Sequence, residues 1–209
     1  MQNTLKTKLP QPKICILGLG GLGSNIAIQL VRLGVTNLRL IDFDRVEASN
    51  LNRQHYFPCH LGQYKTQALV EQLQALCPQG HFQSINTKIT EANILALLED
   101  CHYICEALDN PETKSLVINK ALELPKAPII VGASGMAGFG SANSMQVKKL
   151  GKQLYLCGDF TSDVAQLPLC GPRVILCAAQ QALVICQLIL GLDPLGTNTI
   201  EKGKFTDGR

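Results

Sequence analysis

No two cysteines of this 209-residue chain stand at Cys-x-x-Cys spacing, although it holds nine (15, 59, 77, 101, 105, 157, 170, 177 and 186). Most lie inside apolar runs, where a thiol behaves as a small hydrophobe, so the pattern argues against a disulfide framework and for a reducing compartment. No lysine or arginine cluster is longer than Lys148-Lys149 and the net charge is only +3, so an electrostatic footprint for nucleic acid is missing. Charged residues make up just 17% against 46% hydrophobic ones, which argues against disorder. There are no repeats and no low-complexity tracts. The opening MQNTLKTKLPQPK contains no apolar h-region, and a cytoplasmic protein is expected. Val174 to Leu192 is apolar, but Gln180, Gln181 and Gln187 are spread through it, so a buried helix is expected rather than a membrane span. The length suits one domain over 1–209, with a polar leader over 1–12 and a loose tail from about 193.

What is present alternates. Ile14 to Leu17 reads as an apolar strand, and Leu22, Ile26, Leu30 and Leu33 recur at helical spacing until Gly34. Leu38 to Ile41 is a second strand, followed by a weakly regular stretch from Glu47 to Leu61 that is longer than most connections. Tyr64 to Leu76 is helical, Phe82 to Ile89 a strand, Asn93 to Leu98 a short helix behind Thr90, and His102 to Ala107 a strand. Glu112 to Leu124 and Pro128 to Gly132 complete a β-α-β-α-β-α-β-α-β order, which predicts a Rossmann-like, doubly wound α/β fold with a mostly parallel sheet. Gly132 to Gly140, with four glycines, reads as a flexible loop. Ser144 to Val147 and Gln153 to Cys157 are expected to add antiparallel strands at the sheet edge. Arg173 to Leu190 is a long buried helix with Pro172 in its first turn.

The stretch from Ile14 to Gln54 carries the chemistry. Gly18, Gly20 and Gly23 form G-x-G-x-x-G, with Gly21 in the same turn, after a strand and at the head of a helix. The first glycine permits the turn, the second lets the backbone approach phosphate, and the third lets helix and strand pack closely. Asp42 follows Gly23 by 19 residues at the end of the second strand, where an acid can bind a ribose hydroxyl. These residues predict nucleotide binding. Alone they suit an NAD-binding redox or sensor protein as well as an ATP-using one.

Asp42-Phe43-Asp44-Arg45-Val46-Glu47-Ala48-Ser49-Asn50-Leu51-Asn52-Arg53-Gln54 resembles the D-x-D-x-V-x-x-S-N-L-x-R-Q signature of the ThiF/MoeB/HesA family, bacterial relatives of the ubiquitin-activating enzymes. Gly62-x-x-Lys65, Asp109-Asn110 and the helix behind Pro172-Arg173-Val174 resemble further elements of its shorter ThiF-like members, so that the likeness covers most of residues 13–192. It implies ATP-dependent adenylylation of the C-terminal glycine of a small ubiquitin-like sulfur carrier with a Gly-Gly terminus. A ThiS-like carrier of thiamine thiazole synthesis is expected, with a MoaD-like carrier as the alternative. ATP and magnesium are the implied cofactors and a homodimer the implied assembly.

By this resemblance Arg53 and Lys65 contact the phosphates, Asp109 holds magnesium, Asp42 fixes the ribose, and Asn50 and Gln54 face the nucleotide. A carboxylate is ionised at neutral pH, with a pKa of roughly 3.5, so its attack on phosphorus needs no general base, only positioning and charge neutralisation. Gly132 to Gly140 is expected to guide the carrier's tail. The chain also departs from the family. Without Cys-x-x-Cys pairs no zinc site is expected. Many relatives carry an N-terminal arginine, whereas the earliest arginine here is Arg32, so either Lys6 or Lys8 substitutes, or a residue such as Arg173 does, or that contribution is missing. Lys114 stands where an arginine is common and is expected to pair with helix charges. Cys157 and Cys170 lie where some relatives form a thiol intermediate, but both read as buried structural thiols. A catalytically idle docking scaffold would tolerate loss of Arg53, Lys65 and Asp109.

Overall fold

The computed structural model describes residues 9–196. Lys6, Lys8 and most of the polar tail lie outside the described residues. The elements run β1 (Ile14–Leu17), α1 (Gly21–Arg32), β2 (Asn37–Asp42), α2 (Lys65–Leu76), β3 (His81–Asn86), α3 (Ile94–Leu98), β4 (Tyr103–Glu106), α4 (Pro111–Leu122), β5 (Ile129–Ala133), β6 (Gln146–Leu150), β7 (Leu154–Gly158) and α5 (Gly171–Ile189). One sheet of order β3-β2-β1-β4-β5-β7-β6 holds all the strands. The fold is the expected doubly wound α/β arrangement, parallel from β3 through β5.

β1 shows why the strands read as unbroken apolar runs: it is covered on both faces. Ile14 and Ile16 pack into the core shared with α1, α2 and α5, while Cys15 and Leu17 face the core built from α3 and α4. Leu17 pairs with Ile41 on one side and Glu106 on the other. The order reverses between β1 and β4, and the chain segments leaving β1, β2, β4 and β5 therefore meet at one carboxyl edge.

The C-terminal hairpin differs from expectation in one respect. β6 and β7 pair antiparallel, but β7 is the inner strand and runs parallel to β5, so only β6 opposes the rest. The Gly132 to Gly140 loop is also not the flexible connector its glycines suggest. Ala137 N donates to Ser162 Oγ at 2.9 Å, Gly138 N to Pro168 O at 2.8 Å and Phe160 N to Ser134 O at 3.0 Å. Its glycines serve close packing, since a Cβ on Gly135, where φ is +79°, would stand 2.2 Å from Asp159 Oδ1. α5 is long and apolar enough to cross a membrane by length and composition, but it packs here on α1, β5 and β7 as a core helix.

Candidate nucleotide site

The turn after β1 is built by close approach. Gly18 has φ +85° and its Cα faces the carbonyl of Ala107, where a Cβ would stand 2.7 Å away. A Cβ on Gly23 would lie 1.8 Å from Gly18 O, and one on Gly21 2.8 Å from Val174 Cγ1 of α5. Gly20 differs: its one near neighbour is Gln54 Nε2, at 3.7 Å from the Cβ position. Gly20 is the residue before α1 and no side chain caps the helix, so the positive end of the helix dipole stands uncapped beside the one glycine of the turn that has room in front of it.

Asp42 holds this turn from β2. Its Oδ2 accepts from Leu19 N at 2.6 Å and its Oδ1 from Asp44 N at 2.8 Å. Each oxygen keeps a lone pair for a ribose hydroxyl. Tyr56 Oη donates to Leu19 O at 2.8 Å, fixing the next peptide of the same turn. Burial, and then the charges of Asp42 and Asp44, push the Tyr56 phenol well above its ordinary pKa, so it stays a donor.

The segment after Asp44 wraps the head of α1. Asn50 is buried and its Oδ1 accepts from Glu47 N at 3.1 Å, which folds the short turn Ala48–Asn50. Asn25 Nδ2 donates to Gly21 O at 2.7 Å and to Arg53 O at 3.0 Å, tying the signature turn to the glycine turn. The start of α5 supports it from below, where a Cβ on Gly171 would meet Asn52 O at 2.6 Å. Gln54 is buried beside Gly20 and its Oε1 has no hydrogen-bond partner. Such an orphaned acceptor is costly unless something else occupies the site.

Arg53 and Lys65 rest on local oxygens. Arg53 Nη1 donates to Ser49 O at 3.0 Å and Asn52 Oδ1 at 2.8 Å, and Lys65 Nζ pairs with Asp44 Oδ2 at 2.8 Å while 7% of its side chain is exposed. Asp109 is exposed beyond β4 and takes part in no ion pair among the described residues. Its neighbour Asn110 has a structural task, capping α4 through Thr113 N at 2.8 Å.

Three candidates turn out differently. Lys114 pairs with no helix charge; its Nζ lies 2.9 Å from Oε2 of the fully buried Glu106 and donates to Ala133 O at 2.9 Å, bridging β4 to β5. Burial pushes Glu106 up and the Lys114 charge opposes it. Arg173 is no reaching arginine, because it is spent on Asp159 and on the carbonyls of Gly140, at 2.7 Å, and Ser141, at 3.0 Å. Of the two thiols, Cys157 is buried and burial pushes it up, whereas Cys170 is half-buried at the residue before α5, where the helix start exposes it. Among the described residues no cluster of ligands could hold a metal by itself.

The sequence reading missed Tyr56, Asn25, Glu106 and Asp159. A signal existed for two of them: Asn25 interrupts an apolar helix and Glu106 an apolar strand, and a polar residue there needs a partner.

A model of the ThiF family matches residues 2–206. The sulfur carrier protein adenylyltransferase of Thermus thermophilus is 33% identical over 127 residues, covering 60% of this chain and 46% of that protein. The adenylyltransferase and sulfurtransferase MOCS3 of Aedes aegypti is 31% identical over 128 residues, covering 61% of this chain and 29% of that protein. The match thus spans less than half the length of either relative. Among solved structures, the E. coli tRNA N6-threonylcarbamoyladenosine dehydratase TcdA in complex with AMP superposes with a TM-score of 0.78 at 19% identity, over 86% of each chain. E. coli MccB with AMPCPP and MccA superposes at 0.70 and 21% identity, over 92% of this chain and 60% of that one. At these identities the likeness is one of fold.

Proposed function

Because the chain belongs to the ThiF family, we propose that it is an ATP-dependent adenylyltransferase whose substrate is the C-terminal carboxylate of a small sulfur carrier, ThiS-like and ending in Gly-Gly, for thiamine thiazole formation. The observation that carries the reading is the open face of Gly20 at the head of α1, with the Gln54 side chain beside it and its Oε1 unpartnered. The name of the Thermus relative supports a sulfur carrier as the class of substrate, and that of the Aedes relative supports adenylyl transfer.

In this reading the phosphates lie on the first-turn amides of α1 and the ribose on Asp42. Arg53 and Lys65 leave their resting oxygens for the phosphates, and so place positive charge where the transition state gathers negative charge. The carrier carboxylate attacks the α-phosphorus, the bond to the bridging oxygen breaks, and pyrophosphate leaves. Asp109 suits magnesium, being an exposed carboxylate with no competing ion pair among the described residues, and the ion would neutralise phosphate charge when bound. The pinned loop from Ser134 to Ser141, with Phe139 82% exposed on it, offers the carrier tail a rigid wall. A homodimer in the cytoplasm completes the reading.

The test is ATP–pyrophosphate exchange with a ThiS-like and a MoaD-like carrier in parallel. Exchange is expected with the ThiS-like carrier only when its Gly-Gly terminus is intact, falling on the order of 100-fold in Arg53→Ala. Exchange with the MoaD-like carrier alone would replace the substrate and keep the chemistry. Tight NAD binding without any carrier-dependent exchange would sink both.

A further inference from the structure

At the amino edge of the sheet, opposite the glycine turn, a second chemical cluster is built. Arg39 of β2 is buried, and its guanidinium donates from Nη1 to Leu97 O at 2.7 Å and Glu99 O at 2.9 Å, and from Nε to Gln83 Oε1 at 2.9 Å. Among the described residues it has no carboxylate partner. A buried cation without a counter-charge is expensive. The one further atom that Nη1 reaches is Cys101 Sγ, at 3.7 Å. Cys15 Sγ, from the middle of β1, donates to the same Leu97 carbonyl at 3.9 Å and Cys101 Sγ to the Glu99 carbonyl at 3.7 Å, so both thiols sit on carbonyls that Arg39 Nη1 also holds. Cys101 also lines an open groove with Pro12, His102 and Tyr103, whereas Cys15 is sealed behind it.

We propose that Cys101 is a peroxide-reactive thiol, with Arg39 as its counter-ion and Cys15 as the thiol that resolves it into a reversible disulfide. The neighbouring Cys15 thiol lowers Cys101, burial opposes this, and the charges of Arg39 and Lys13 lower it further, with Asp100 opposing. Burial raises Cys15 well above its ordinary value, so it stays a thiol with its S–H on the Leu97 carbonyl until it reacts. The Cys101 thiolate attacks one oxygen of hydrogen peroxide, the O–O bond breaks, and the departing hydroxide takes a proton to become water. Cys101 is then a sulfenic acid. Cys15 sulfur attacks the Cys101 sulfur, its proton goes to the departing hydroxide, and an S–S bond replaces S–O. Two thiols and one peroxide become one disulfide and two waters.

Cys59, exposed on the surface of the same chain, is the built-in comparator. The full chain is treated with hydrogen peroxide, quenched at intervals with a thiol-blocking reagent, and mapped by peptide mass spectrometry. Cys15 and Cys101 are expected to appear as one disulfide-linked pair, formed at least about tenfold faster than Cys59 is oxidised. In Cys15→Ala, Cys101 is expected to be trapped as its dimedone adduct. The wild-type protein decides the matter even if that variant fails to fold. Oxidation of Cys59 first, with Cys15 and Cys101 recovered as thiols, overturns the proposal, and so does a Cys101 disulfide to any other partner.

Discussion

Gly20 and Gly23 sit three residues apart and carry opposite constraints. A methyl on Gly23 meets the backbone oxygen of Gly18, which cannot move without opening the turn, so Gly23→Ala is expected to cost about 3 kcal/mol or more in urea unfolding. A methyl on Gly20 meets only the far end of Gln54, so Gly20→Ala is expected to stay within about 1 kcal/mol of wild type. Its Kd for ATP, by calorimetry, is nevertheless expected to rise at least tenfold, because the methyl stands where a phosphate approaches. Equal stability loss in both variants would remove this division of labour. The glycine spacing was legible in the sequence because turns, helix starts and strand ends obey local rules. The holds on that turn by Tyr56 and Asn25 were not, since neither partner is fixed by local spacing.

Among the elements, the loop from Ser134 to Ser141 departs most from its sequence. Local glycine content predicts mobility, but the tertiary partners Asp159, Ser162 and Arg173 override it. Asp159 sets the pH range of that hold. Burial pushes its carboxyl up, yet the amides and hydroxyl of Ser162 and Thr161 and the Arg173 guanidinium bring it down to about 2, from an ordinary 3.8. A carboxyl depressed by folding stabilises fully above its ordinary pKa and loses that contribution as pH falls through the folded value. The wild type is therefore expected to exceed Asp159→Asn in urea midpoint at about pH 5, and the gap to close as the pH approaches about 2. A gap that stays constant across this range would show that the Asp159 charge contributes nothing. The hairpin shows the same limit of local reading: alternation gave both strands, while their order in the sheet depends on β7 reaching β5.

For the whole molecule, the alternating pattern predicted the doubly wound sheet because each apolar run is covered on both faces, and a buried strand has no polar face to blur its signal. What periodicity could not assign is the outward side of α5. Leu176, Leu183 and Leu190 recur every seven residues and remain exposed, Leu183 by 54%. A second copy of the chain is expected to cover this stripe. Sedimentation velocity at micromolar concentration should give a dimer, and Leu183→Glu should raise the dimer Kd at least tenfold without changing ATP binding. A wild type that sediments as a monomer would rule the assembly out.

β1 has only four residues, Ile14–Leu17, which is roughly 13 Å of extended chain. The glycine turn hangs from one end of it, and Cys15 lies one residue from the other. Nucleotide binding and thiol oxidation thus act on a common rigid rod, and thermodynamic reciprocity applies to the pair. Whatever factor the disulfide imposes on ATP affinity, ATP must impose on the equilibrium constant for forming the disulfide, so a redox titration with and without nucleotide reads the same quantity from the far end.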